Sequence, residues 1–201
     1  MSEHRERERL GIRELWSNKI SREKLREGDH IYSWRKGSLY AHHGIYNAAQ
    51  ERVIHFTRAA DQESGIPKLD KSAEKFTSSD NPCPSCGYHS KLDGVISSCI
   101  DCFLSDGELY RYQYDVSWTF YKLKRRGTCT RKASDAPIDV LSRAQTFLDD
   151  GFGEYHVVTN NCENFAITCK TGEGDGTATG QAAFFLKTVP DFLRDRFSSI
   201  N

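Results

Sequence analysis

The sequence has no net charge and no apolar run long enough to span a membrane. Its 28 Lys and Arg residues balance 28 Asp and Glu residues, which argues against a dedicated nucleic-acid-binding domain because such domains are usually strongly basic. The longest uncharged stretch near the C-terminus, 176–186, is about half the roughly 20 residues of a membrane-spanning helix. The N-terminus alternates acidic and basic residues, and Ser2 stands where a myristoyl anchor needs Gly, so we expect a cytoplasmic protein without a signal peptide or transmembrane segment.

The chain does contain enough aromatic residues to build a core, with 11 Phe, 9 Tyr and 3 Trp among 201 residues. Together with 37% apolar residues, this composition is typical of one globular domain and excludes wholesale disorder. The 7 cysteines are an odd number, so they cannot all pair within the chain. In a reducing compartment, clustered cysteines indicate metal binding or catalysis more often than disulfides.

Four of the cysteines form a C-x2-C-x12-C-x2-C motif made of Cys83, Cys86, Cys99 and Cys102. Two such knuckles present four thiolates to one Zn²⁺ in a tetrahedron, and because no coordination position stays open, we expect a structural zinc site. A short polar insert also needs such a cross-link in order to fold. Two alternatives stay open, namely two unrelated cysteine pairs or a thioredoxin-type redox function of one CxxC pair.

Short segments rich in β-branched and aromatic residues predict an antiparallel sheet. Three of them, 30–34, 39–46 and 52–56, are separated by turn residues and fit consecutive strands. The polar segment 57–82 is expected to be a long surface loop. The alternating segment 108–122 has the clearest strand pattern in the rest of the chain.

A helix is predicted at the start of the last third of the chain. Ser134 or Asp135 can cap it, Pro137 suits its first turn, and Gly151 follows its end. Its apolar stripe recurs with a period close to 3.6 residues. The stripe comprises Ile138, Leu141, Ala144, Gln145 and Leu148.

The composition divides the chain into three parts. A charged arm over 1–27 is expected to be solvated, and a single domain follows over 28–170. That domain contains an insert over 61–107, which includes the zinc module 83–102. The last part, 171–201, is a Gly-rich loop followed by an amphipathic tail, whose apolar residues either contact a membrane surface or pack against the core.

Cys162, His42 and His55 form a candidate constellation for nucleophilic catalysis. Such catalysis needs a thiolate, an imidazole that takes the thiol proton, and a group that orients the imidazole. Cys162 begins a predicted helix that runs to Lys170, and a helix N-terminus lowers the pKa of a thiol and supplies N–H groups for an oxyanion. The two histidines lie on neighbouring predicted strands, which can place them side by side. His43 would then point to the other side of its strand, at the surface.

These segments resemble the lecithin:retinol acyltransferase (LRAT) family. The resemblance rests on YAHHGIY at 40–46, VIHF at 53–56 and NNCENFA at 160–166. The opening GDHIY at 28–32 and the four-cysteine insert are similar to the plant LRAT-domain, or NC-domain, proteins. The resemblance implies an α+β fold of the permuted papain-like (NlpC-type) class, with a small antiparallel sheet and a helix that carries the cysteine.

The resemblance also implies acyl transfer from lipid esters through a thioester. It assigns Cys162 as the nucleophile, His42 as the imidazole that takes its proton, and His55 as the residue that orients His42. A lipid ester or phospholipid would be the substrate, reached by peripheral membrane contact, and no nucleic acid is expected as a partner. The chain departs from the animal members in three respects: Asn164 stands where they have His, the cysteine-rich insert lengthens the segment between His55 and Cys162, and no apolar anchor is expected in the tail.

Two other functions stay open. One is a non-catalytic interaction module that binds a protein partner through the zinc module, with Cys162 as a buried apolar thiol. The other is a papain-like cysteine peptidase or amidase. Of the remaining cysteines, Cys169 lies two helical turns from Cys162 and is expected to pack in the core, whereas Cys129 has no assigned role.

Overall fold

The computed structural model describes residues 18–35, 40–59, 81–156 and 159–173, and every structural statement below refers to these ranges. Their centre is a five-stranded antiparallel sheet with the order β4-β3-β2-β1-β5. The strands are β1 (His30–Arg35), β2 (Tyr40–Asn47), β3 (Arg52–Thr57), β4 (Gly94–Cys99) and β5 (Tyr110–Arg111). The helices are α1 (Ile100–Leu104), α2 (Trp118–Leu123), α3 (Pro137–Asp150) and α4 (Cys162–Thr171). The predicted α+β architecture with a small antiparallel sheet is confirmed.

The first three strands lie where the sequence predicts them. β1 and β2 pair along their whole length, from His30 opposite Ile45 to Arg35 opposite Tyr40. The ladder between β2 and β3 is shorter and covers only Ile45–Asn47 on β2. The backbone of the first half of β2 can therefore meet other elements on that side, and the start of α4 uses this opening.

Alternation along the strands gives the sheet two different faces. One face packs against α3 and α4 in a core cluster of Ile45, Ile54, Phe56, Val140, Ala144, Phe165, Ala166 and Cys169. The other face packs against α1 and the segment after it in a cluster of Ile31, Val53, Phe103, Leu104 and Leu109. Each Val, Leu, Ile or Phe side chain so buried contributes roughly 1.5–3 kcal/mol. The prediction that Cys169 packs in the core is confirmed.

β4 lies inside the cysteine-rich segment and was not predicted. It pairs with β3 along its whole length, from Gly94 opposite Thr57 to Cys99 opposite Arg52. The local signal is short, since only Val95 and Ile96 are strong β formers among polar neighbours. Pairing with β3 supplies the stability that the local sequence lacks, and it joins the second cysteine knuckle to the main sheet.

The prediction of a strand over 108–122 is wrong for most of that segment. Only Tyr110 and Arg111 form a strand, β5. Asp115 has a φ of 52°, a left-handed backbone conformation that interrupts an extended chain. Ser117 then accepts a hydrogen bond from the Phe120 amide at 3.3 Å and begins α2. Turn and cap residues therefore override the alternating pattern of aromatic side chains.

The helix predicted after Pro137 is present and ends at Gly151, which has a φ of 89°. Its N-cap is Ala136, so the predicted N-caps, Ser134 and Asp135, are wrong, whereas Pro137 does lie in the first turn as predicted. Asp135 instead forms an ion pair with Arg143, with 2.5 Å between a carboxylate oxygen and a guanidinium nitrogen. That ion pair ties the entry of α3 to its own second turn.

The apolar stripe of α3 differs from the predicted one. Val140 and Ala144 are fully buried, whereas Ile138 is 75% exposed. Gln145 is also exposed, and Phe147 takes its place against the core. The buried stripe is thus rotated about the helix axis relative to the predicted one, with Val140 and Phe147 in place of Ile138 and Gln145.

Parts of the predicted arm, loop and tail lie outside the described residues, namely 1–17, 60–80 and 174–201. The end of the arm is packed rather than solvated, since Asn18 is buried and donates to the Thr128 carbonyl at 2.8 Å. Asn18 also accepts a hydrogen bond from the Lys124 ammonium at 2.7 Å. Among the helices of the described residues, none combines the length and apolarity needed to cross a bilayer.

Candidate active site and metal centre

Cys162 is the first residue of α4, as the sequence predicts. Asn161 caps the helix by accepting hydrogen bonds from the amides of Glu163, at 2.9 Å, and Asn164, at 3.2 Å. The side chain of Asn164 in turn accepts from the Asn161 amide at 3.1 Å, which completes a capping box. Asn164, which departs from the animal pattern, is therefore a structural cap that fixes the helix start beneath the thiol.

The thiol of Cys162 lies against the open half of β2. Its sulfur is 3.7 Å from the carbonyl oxygen of Ala41, and the amide N–H of His43 donates to it. The residue is only 3% exposed. Burial raises the pKa of the Cys162 thiol to about 11, although the His43 amide favours the thiolate. At neutral pH the resting thiol is protonated, so it needs a base in order to react.

His42 and His55 form a hydrogen-bonded pair between β2 and β3. Nε2 of His42 lies 2.9 Å from Nδ1 of His55, with the rings nearly perpendicular at 88°. Burial lowers the pKa of His55 to about 3 and holds that of His42 well below its usual value. Phe103 packs on both rings, with centroid distances of 5.3 Å and 5.4 Å. Both imidazoles are therefore neutral at physiological pH.

Cys162 and the histidine pair share one electrostatic environment. His42 lies between the two residues of β2, Ala41 and His43, that contact the thiol. The positive charge of Arg35 lowers the pKa of Cys162, of His42 and of His55. The bond to His55 occupies Nε2 of His42, and Nδ1 is the nitrogen that this bond leaves for a second partner. The thiol at the start of α4 therefore contacts the β2 backbone on both sides of His42, which itself pairs with His55.

A second buried histidine pair was not predicted. His43 is fully buried rather than at the surface, and its Nδ1 lies 2.9 Å from Nε2 of His30. His30 continues to the Tyr114 hydroxyl at 2.8 Å, and its ring stacks on Tyr112 at 4.3 Å. The prediction that His43 points to the opposite side of β2 from His42 is correct. That helices cover this side of the sheet depends on long-range packing, so the burial of His43 could not be predicted. The pair braces the part of β2 whose backbone meets Cys162.

The four motif cysteines converge as the sequence predicts. Their sulfur atoms all lie within 4.8 Å of one another, and those of Cys86 and Cys102 are 3.7 Å apart. A ZnS₄ tetrahedron with Zn–S bonds of about 2.3 Å has S–S edges of about 3.8 Å. All four cysteines are free thiols. The cluster therefore has the donor set and the spacing of a metal site.

Each knuckle uses a different local structure. In the first, the Cys83 carbonyl accepts from the amides of Cys86, at 3.3 Å, and Gly87, at 2.7 Å. Gly87 has a φ of 74°, which favours glycine. Amide donors, first that of Ser85, lower the pKa of the Cys83 thiol to about 6 and so favour the thiolate that binds a metal. In the second, the cysteines lie at the junction of β4 and α1.

The four-cysteine cluster adjoins the histidine pair through residues next to it in sequence. Ser98, directly before Cys99, places its hydroxyl 2.9 Å from Nε2 of His55. Phe103, directly after Cys102, supplies the ring that packs on both histidines. The predicted insert therefore lines the candidate active site, and Ser98 and Phe103 are site residues that sequence reasoning missed.

The comparisons with known proteins identify the family of the chain. The family model described as lecithin retinol acyltransferase matches residues 23–175. Protein LEAD-SENSITIVE 1 of Arabidopsis thaliana is 47% identical over 160 residues, which cover 78% of this chain and 61% of that protein. The chain thus spans about three fifths of the curated relative that it matches. The predicted resemblance to plant LRAT-domain proteins is confirmed, and the chain belongs to the lecithin retinol acyltransferase family.

Proposed function

We propose that the chain is a thiol acyltransferase or phospholipase that cleaves lipid esters through a thioester on Cys162. The observation that carries the proposal is the helix-initiating thiol held against β2 beside the 2.9 Å His42–His55 pair. Membership of the family supports the same chemistry. We place the reaction at a cytoplasmic membrane surface, where lipid esters are presented to a peripheral protein.

The proposed reaction begins with proton transfer from the Cys162 thiol to Nδ1 of His42. The thiolate attacks the ester carbonyl, and the developing oxyanion is stabilised by the backbone N–H of Cys162 and by N–H groups of β2, because Asn161 already accepts from the amides of Glu163 and Asn164. The C–O bond of the ester breaks, His42 returns its proton to the leaving alcohol, and an acyl thioester remains on Cys162. Water, an alcohol or an amine then attacks the thioester and releases the acyl group.

His55 has an orienting function in this scheme. It holds Nε2 of His42 and, because burial keeps its own pKa near 3, it stays neutral while His42 takes up the proton. A neutral acceptor at Nδ1 of His55 stabilises the imidazolium that forms on His42. General acid–base catalysis of this kind contributes roughly 10²–10⁴ in rate.

We further propose that Cys83, Cys86, Cys99 and Cys102 hold one structural Zn²⁺. Four thiolates leave no open coordination position, so the metal would cross-link the knuckle to the β4–α1 junction without taking part in the reaction. This cross-link would hold Ser98 and Phe103 against the histidine pair. Metal analysis of the purified protein should find about one zinc per chain.

The decisive experiment is to incubate the purified protein with phosphatidylcholine vesicles and measure its intact mass. We expect a mass increase of one acyl group, located on Cys162 by peptide mapping. Cys162→Ser and His42→Ala should abolish the adduct, whereas Cys129→Ala, which changes a buried cysteine outside the site, should retain it. Absence of an adduct with phosphatidylcholine, phosphatidylethanolamine and their lyso forms would contradict the proposal.

The burial of the thiol favours a second candidate, a non-catalytic interaction module. With 3% exposure and a pKa of about 11, Cys162 resembles a structural cysteine as much as a nucleophile. In that case Cys162 would react with iodoacetamide at neutral pH no faster than the buried Cys169. Cleavage of peptide or amide bonds without lipid activity would instead support a papain-like peptidase or amidase.

A further inference from the structure

The hydrogen-bond chain of the candidate site continues beyond His55 into the strand that ends in the cysteine cluster. Nε2 of His55 lies 2.9 Å from Oγ of Ser98. The Ser98 hydroxyl in turn donates to the carbonyl oxygen of Cys99 at 3.3 Å. Ser98 is fully buried, so water does not compete for its hydroxyl.

The direction of these bonds determines which nitrogen of each imidazole carries the proton. A neutral imidazole has one N–H donor and one acceptor nitrogen. When the Ser98 proton points to the Cys99 carbonyl, the Ser98 oxygen accepts from Nε2–H of His55. Nδ1 of His55 must then accept from Nε2–H of His42. Nδ1 of His42 is left with a lone pair, which is the form that a base requires.

We propose that Ser98 is a positioning residue that keeps His42 in the tautomer able to accept the proton of Cys162. The inference rests on the function proposed above, since it gives His42 the same task. It adds Ser98 to the site as a fourth residue. It also gives the order in which the hydrogen bonds orient the groups: the Cys99 carbonyl orients Ser98, Ser98 orients His55, and His55 orients His42. Ser98 touches neither the substrate nor the thiol and acts only through the two histidines.

Cys99 links this series of hydrogen bonds to the proposed zinc site. Its carbonyl accepts the Ser98 hydroxyl, while its thiol belongs to the four-cysteine cluster. Pairing of β4 with β3 places Ser98 opposite Val53, two residues from His55 along β3. The cysteine cluster therefore fixes the acceptor that orients Ser98, and a change at the cluster would reach His42 through fixed hydrogen bonds.

Ser97 provides a matched control on the same strand. It pairs with Ile54 and points to the opposite face of the sheet. Its hydroxyl is buried and has no hydrogen-bond partner among the described residues. Removal of the Ser97 hydroxyl therefore tests the effect of removing a buried hydroxyl from β4 without changing the hydrogen bonds that lead to His42.

The test measures the rate at which iodoacetamide alkylates Cys162 from pH 5 to pH 9, resolved from the other cysteines by peptide mass spectrometry. We expect Ser98→Ala to slow alkylation at pH 7 by about three- to tenfold, the effect of one buried hydrogen bond. The rate should then rise at higher pH, because the thiol must ionise without an aligned base. Ser97→Ala should match the wild type.

A second pair of variants distinguishes the loss of the Ser98 hydroxyl from an effect of misfolding. Thr and Val have nearly the same shape, so Ser98→Thr and Ser98→Val crowd the site equally and differ only in the hydroxyl. We expect Ser98→Thr to react several times faster than Ser98→Val at pH 7 and to keep the wild-type profile. Equal rates in these two variants, or a wild-type profile in a folded Ser98→Ala protein, would overturn the inference.

The outcomes separate this inference from the proposed function. If wild-type Cys162 is alkylated no faster than in His42→Ala, the base itself is absent and both proposals fail. If His42→Ala slows the reaction but Ser98→Ala and Ser98→Val do not, the proposed function stands and the role of Ser98 is refuted. A loss of reactivity that Ser98→Thr restores supports both.

Discussion

Phe103 packs on the ring of His42 with 5.3 Å between the ring centroids, although the two residues lie on different layers of the protein. Phe103 directly follows a cysteine of the four-cysteine cluster and is 1% exposed. It also lies 5.4 Å from the ring of His55. The proposed metal centre and the candidate active site therefore share one apolar wall.

Replacement of Phe103, which forms this wall, should lower both the stability of the fold and the reactivity of Cys162. We expect Phe103→Ala to lower the free energy of unfolding by about 3–5 kcal/mol, because the variant leaves a cavity beneath the histidine pair. Phe103→Leu should cost less and retain reactivity of Cys162. Urea unfolding and iodoacetamide alkylation of Cys162 check the two effects. An unchanged alkylation rate in a folded Phe103→Ala protein would show that the wall does not orient His42.

The capping box at the start of α4 gives a second prediction. Asn164→Ala removes the acceptor for the Asn161 amide and should lower the free energy of unfolding by about 1 kcal/mol. Asn164→Asp keeps an acceptor oxygen and adds a negative charge at a helix N-terminus, so it should retain stability. Urea unfolding of the three proteins measures the difference. If Asn164→Ala is as stable as the wild type, the capping role is refuted.

Metal removal should destabilise the protein as a whole. Because β4 and the second knuckle are continuous with the central sheet, release of the metal would loosen a core strand as well as a surface module. We expect a strong chelator to lower the melting temperature by 5 °C or more, about the effect of 1–2 kcal/mol in a domain of this size. Cys99→Ser should abolish zinc binding, while Cys129→Ala should keep it. Equal melting curves with and without chelator would contradict a structural metal.

Stability should fall as the pH falls below about 6.5. Burial lowers the pKa of His43 and of His55 to about 3, and that of His30 and of His42 well below its usual value. Between pH 6.5 and pH 3 the unfolded chain binds protons at His43 and His55 and the folded chain does not, so acid favours unfolding. His30 and His42 act in the same direction. Each such histidine contributes a slope of about 1.4 kcal/mol per pH unit, and the contribution is fully present above pH 6.5.

Urea unfolding at pH 7.5, 6.0 and 5.0 measures this slope. Since acid also protonates the thiolates of the proposed zinc site, the informative comparison is between the wild type and His55→Gln at each pH. Loss of one buried neutral histidine should reduce the dependence of the unfolding free energy on pH by the contribution of one proton, about 1.4 kcal/mol per pH unit. Identical slopes in the two proteins would mean that His55 titrates normally in the folded state.

The strands β1, β2 and β3 and the helix that begins at Cys162 were predicted because their signals are local. Alternating β formers with turn residues between them specify a hairpin, and a glycine with positive φ ends each of the two longer helices. The segment 108–122 shows the limit of this reasoning. Its aromatic residues alternate, yet Asp115 and Ser117 turn the chain away from the sheet.

The sequence by itself determined the four-cysteine motif, the two histidine-bearing strands and the helix start that carries Cys162, since each depends on residues close together in the chain. Only the tertiary structure decided that β4 joins the sheet beside β3. That pairing brings Ser98 to His55 and the cysteine cluster to the histidine pair. Such contacts depend on the register between two strands, with His55 and Ser98 lying 43 residues apart in sequence, and packing of the whole core sets that register.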